Sequence, residues 1–121
     1  MAKNFVQDGL TIEFTAAAAV ASGDVVVIGS LIGVALDAVA NGEIGVASIE
    51  GVFELPKTTG TANTVGELID FDITAAEISK LAVPAAGDIV GCGVAFAAAA
   101  SGDTTILVKI NEGSSTISAG P

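Results

Sequence analysis

Three acids in one short stretch, Glu67, Asp70 and Asp72, are the residues whose types and spacing could do chemistry. Carboxylates two apart on a strand share a face, and a hard cation takes such oxygen ligands. A carboxylate pair could also serve glycoside hydrolysis. That reaction needs a cleft lined with aromatic or amide groups, and the chain has no Trp and no Tyr. Asp70 and Asp72 also alternate with Ile69, Phe71 and Ile73, the pattern of a strand with a solvated outer face. Ordinary solvation therefore accounts for them, and no metal ligand is assigned. The chain lacks His, the commonest general base, and Arg, the bidentate phosphate clamp. Ser-His-Asp and Cys-His arrangements are excluded, and no GxxxxGK[ST] loop occurs. Cys92 is the one cysteine, in the apolar run IVGCGV, and reads as a small buried side chain. No catalytic residue and no cofactor is assigned, and the chain is read as a structural or interaction protein, not an enzyme.

The elements that would position any surface follow from composition. Apolar residues make up 51% of the 121, but only five are aromatic, all Phe. Cores built on Ala and Val bury little per residue, so a homo-oligomer is expected. The net charge of −10 argues against nucleic acid, whose phosphates need cations, and against an anionic membrane. The first fifteen residues hold no signal-peptide pattern, and the apolar run from Val25 to Leu36 is shorter than a membrane span.

Short β-branched runs cut by Gly predict strands near 10–15, 25–28, 32–36, 43–48, 50–55, 67–73, 88–96 and 104–110. The expected fold is all-β, a small β-barrel or sandwich of short strands with one short helix near 74–81. The helix rests on Thr74 and Glu77 at capping-box spacing, Ile78 and Leu81 on one face, and Pro84 just beyond. Residues 1–110 form a single β domain whose first nine residues are an arm. Residues 111–121, rich in Ser and Gly, are expected to be a flexible tail.

An internal repeat is visible. Gly33-Val34-Ala35-Leu36 returns as Gly93-Val94-Ala95-Phe96, and Gly42-Glu43 returns as Gly102-Asp103, each 60 residues on. A Gly-acid pair also precedes each unit, at Gly23-Asp24 and Gly87-Asp88, and Gly66-Glu67 adds another; all are read as turns with the acid solvated at a strand entrance. The repeat predicts two similar strand-turn-strand units in one barrel or sandwich.

The opening MAKNFVQDG, then ASGDVVVIGSLIGVAL and GVFELPK, resembles a family of small tailed-phage proteins, the capsid-decoration or cement proteins. GVFELPK is its most specific piece. The sequence departs from the family pattern at Asp70-Phe71-Asp72, where relatives carry an aromatic-rich segment. The resemblance implies a β-barrel-like domain, often trimeric, on the outer surface of an assembled head, made in the host cytoplasm and kept in the virion. Its partners would be the major capsid protein and itself, as a homotrimer. Some relatives carry a recombinase label, which the missing phosphate loop and the acidity contradict. The alternative is another β-structured virion or surface module, such as a tail or fibre component.

On this reading the terminal segments are the candidate capsid contacts. Phe5 and Val6 offer apolar anchors, and Lys3 is the only cation before Lys57. Phe53 is the candidate core or subunit contact, with Glu54 and Lys57 expected to be exposed.

Overall fold

The computed structural model describes residues 3–112 and 115–120. Ten strands are present: β1 Thr11–Thr15, β2 Val25–Ile28, β3 Leu31–Ala35, β4 Ile44–Ser48, β5 Val52–Pro56, β6 Leu68–Asp72, β7 Glu77–Ser79, β8 Ile89–Ala95, β9 Thr105–Ile110 and β10 Thr116–Ile117. They form two antiparallel sheets. The first runs β1-β4-β3-β2 and the second β5-β9-β8-β6-β7, with β10 added beside β8. The second sheet curls until Thr58 N donates to Ile78 O, which brings β7 round to the end of β5. The chain is all-β, as expected, and the expected strands are present to within about two residues at their ends, the usual uncertainty of such boundaries.

The helix expected near 74–81 is not formed, and this is the main correction. The Asp72 carboxylate accepts hydrogen bonds from Thr74 N and Ala75 N, closing a local turn. Ala76 then takes a left-handed φ of 57°, and the chain returns as β7 along β6. Glu77 does not reach back to cap a helix; it accepts the Thr58 hydroxyl proton. Two helical turns barely repay their own nucleation, whereas pairing with β6 also buries Ile78 to 1% exposure.

The repeat covers half the molecule at a time. Strands β1, β2, β3 and β4 correspond to β5, β6, β8 and β9, in the same sheet order. Several bonds between strands recur in both halves. Gly23 N donates to Ala35 O as Gly66 N does to Ala95 O, both at 2.8 Å. Leu36 N to Val46 O corresponds to Phe96 N to Leu107 O, and Ile49 N to Leu10 O corresponds to Ile110 N to Gly51 O. The partner of Gly23-Asp24 is thus Gly66-Glu67 and not Gly87-Asp88. Gly33 and Gly93 are equivalent because the backbones approach closely, not because of a left-handed φ. A Cβ at Gly33 would lie 2.9 Å from the Ala47 Cβ, and one at Gly93 would lie 2.6 Å from Lys109 O.

The Gly-acid turns do more than keep an acid in water. Asp24, Asp88 and Asp103 each accept a hydrogen bond from the backbone N–H three residues before, at Ala21, Ala85 and Ala100. Each returns its own N–H to the same residue's carbonyl. Asp88 also accepts from Ile73 N and is buried.

The core lies inside the second sheet, among Leu55, Ile69, Phe71, Ile78, Ile89, Ile106 and Val108, and takes Ile32 and Val34 from the first. Asn111 ties the two sheets together. It takes a φ of 58°, which Asn tolerates. Its Oδ1 accepts from Ile32 N, and its Nδ2 donates to Ile32 O and Ile49 O. Part of the segment expected to be a loose tail runs beside β8. Thr116 and Ile117 pair with Val90 and Ile89, and Ser118 N donates to Asp88 O.

Candidate interaction surfaces

The acid stretch is structural. Asp70 on β6 accepts from Gly91 N at 2.8 Å and Leu81 N at 2.9 Å, holding an irregular step in the β6–β8 pairing. Asp72 is spent on its turn. Glu67 takes a 2.6 Å ion pair with Lys80 and a hydrogen bond from Asn63. The Lys80 bond, and then the Asn63 bond, hold its carboxyl below the usual carboxylate range. Among the described residues, no three His, Cys, Asp or Glu side chains gather as a metal site would need. Cys92 is fully buried, and burial, followed by the nearby Asp70 charge, pushes its thiol up to about 12.

The contact candidates of the arm stand free of the core. Lys3 is exposed, as are Phe5 at 57% and Val6 at 87%. Phe53 is half-buried and packs against the core, while Glu54 beside it is exposed. Lys57 departs from expectation, because it is 3% exposed. Its backbone pairs with Thr104 and bridges to Ile78, so the curl of the second sheet closes over it, and its Nζ donates to Thr58 O. Alternation along β5 placed Glu54 correctly but could not foresee β7 arriving at the strand end.

Sequence reasoning missed two surfaces that the repeat creates. In one sheet, Glu13, Val46 and Leu36 lie in register across β1, β4 and the end of β3; in the other, Glu54, Leu107 and Phe96 occupy the same places. All six side chains are exposed, so each half presents an acid beside two apolar groups. The twofold occurrence of GVA-L and GVA-F was a signal of this, because Leu36 and Phe96 follow those motifs directly.

The second missed feature is a cleft of about 370 Å³ in the first half. Its walls are Phe14 and Ala16 at the end of β1, Val25 to Val27 of β2, and Phe71 and Ile73 from the other half. No charged side chain lines it. The four residues of β2 are each only half-buried. The strand lies at a sheet edge and one side of it faces this cleft.

Apolar side chains dominate these surfaces, and no group of three metal-ligating side chains occurs among the described residues. No curated protein and no solved structure matches the chain. A protein family described as phage cement protein does match, over residues 6–110, from Val6 of the arm to the last residue of β9. Both repeats and all the strands of both sheets except β10 fall within that span, and the chain therefore belongs to the phage cement protein family, whose members have a structural, capsid-associated role.

Proposed function

We propose that this protein binds the outer surface of the assembled phage capsid as a homotrimer and stabilises it. Membership of the cement family carries the reading. The surface supports it: two equivalent apolar rows and an exposed arm offer contacts to capsid subunits and to other copies, and nothing in the site chemistry suggests turnover. One subunit presents a modest area, and modest areas give modest affinity. Three linked copies raise the effective concentration of the second and third contacts. Attachment is then firm only on a lattice whose spacing matches, and free capsid subunits bind weakly. The acidity of the chain, at −10, favours a capsid surface carrying Lys and Arg. Neither nucleic acid nor membrane is a partner in this reading.

The test is the particle. Heads assembled without the protein should release DNA at lower temperature than wild-type heads, and adding the protein back should restore the threshold. Bare heads with unchanged heat resistance would refute the stabilising role, and finding the protein on tails instead would favour a tail component.

A further inference from the structure

The internal repeat shows what the cleft lacks. In the second half, β6 does not end its sheet, because residues 73–88 between β6 and β8 carry β7, which pairs along β6 and inserts Ile78. In the first half, β2 passes to β3 through the two residues Gly29 and Ser30, so no inserted strand exists. The outer edge of β2 is unpaired among the described residues, and the cleft lies beside it.

Edges left open in soluble proteins are usually guarded by charge, proline or shortness. Edge strand β1 carries Glu13, β5 carries Glu54 and ends in Pro56, and β7 has three residues including Glu77. Strand β2, Val-Val-Val-Ile, is one residue longer than β7 and carries neither charge nor proline. A bare β-branched edge next to an apolar cleft is a template for an added strand.

We propose that the cleft takes the N-terminal arm of a second copy, residues 3–7, as an added strand along β2. This rests on the oligomer reading above and gives it a mechanism. The arm carries large apolar side chains outside both sheets and the core: Phe5 and Val6 are both exposed. Its sequence Asn4-Phe5-Val6-Gln7 provides a large apolar side chain between polar flanks, as Glu77-Ile78-Ser79 does in the filled half. Lys3 brings a positive charge towards Asp24, which lines a separate depression sharing Val25 and Ala76 with the cleft. Each chain both gives an arm and holds a cleft, a head-to-tail contact that closes into a ring when the rotation permits. The arm, first read as a capsid contact, thereby becomes a subunit contact, and the apolar rows remain for the capsid.

The experiment uses the full chain in solution, apart from any capsid, so its outcome is separate from that of the head-binding test. Three variants are compared with wild type by light scattering: Val26→Lys, which guards the edge; deletion of residues 3–7; and Asn4→Cys combined with Ala17→Cys at the cleft. The expected results are an oligomer for wild type and folded particles of the monomer's 11.8 kDa for the first two variants. Oxidation of the double-cysteine variant should give covalently linked chains on a non-reducing gel. Should Val26→Lys fail to fold, the arm deletion and the cross-link decide. A disulfide formed only within one chain would overturn the proposal, as would a wild-type oligomer that survives arm deletion. A monomeric wild type whose arm deletion weakens head binding would return the arm to the capsid.

Discussion

Asn111 shows how one side chain can matter more than its position near a tail suggests. Its amide makes three hydrogen bonds to the backbone of the first sheet while its own backbone ends the second. Asn111→Ala leaves those partly buried groups unpaired, at about 1–3 kcal/mol for each stranded group, less where water enters. Urea denaturation should show a lower midpoint with little change in slope. Cys92 offers a second residue-scale test. Its folded thiol is held near 12 against 9.0 for the free group. Because the raised value belongs to the folded state, the contribution is complete below pH 9.0 and is lost as pH rises from there towards 12. A thiol reagent at pH 8 should leave the native protein unlabelled and should label Cys92 fully in denaturant. Rapid native labelling would mean that the irregular β6–β8 step opens readily.

At the scale of elements, the repeat explains why two glycines recur on central strands where propensity disfavours them. Strand β3 must approach β4 at Gly33, and β8 must approach β9 at Gly93, more closely than a side chain permits. Gly33→Val and Gly93→Val should each destabilise the fold by about 1–3 kcal/mol, the usual cost of overpacking. Gly93 should be the worse of the two, since its neighbour is a backbone oxygen that cannot turn aside. Thermal melts of the paired variants would check this, and two melts equal to wild type would contradict the equivalence of the halves. The inserted β7 is also what leaves the edge of one half filled and that of the other open.

At the scale of the whole molecule, the balance of burial and charge sets the function. Large side chains are few, and large apolar side chains stay exposed in both halves. A chain at −10 stays soluble with that surface exposed. In the proposed role, contacts with a capsid lattice and with other copies would use it. Leu36→Asp with Phe96→Asp, one in each apolar row, should leave the oligomer intact and reduce attachment to heads by at least tenfold, the equivalent of about 1.4 kcal/mol. Either change alone should give a smaller loss, because the two rows are equivalent. Sedimentation of heads with labelled protein measures it, and undiminished attachment of the double variant would assign the capsid contact elsewhere.

Most of the strands, the turns and the family resemblance were legible in the sequence. They depend on local physics: β-branched runs, Gly at left-handed positions, and residue types that are present or missing. Alternation along 67–73 put Asp70 and Asp72 opposite the core residues Ile69 and Phe71, but both are half-buried and hold backbone N–H groups instead of being simply solvated. Three matters were decided only by tertiary structure. Residues 74–81 have the local marks of a helix, but Asp72 closes a turn before it and the open edge of β6 recruits Glu77–Ser79 as a strand. Lys57 has the charge of a surface residue, but the sheet curls over it at a contact with Ile78, 21 positions along the chain. The run Val25–Ile28 has the composition of a central strand, yet it ends as an edge because the first half has no counterpart to β7. In each case the outcome depends on which distant strand arrives alongside, and that is a property of the sheet order, not of the neighbouring residues.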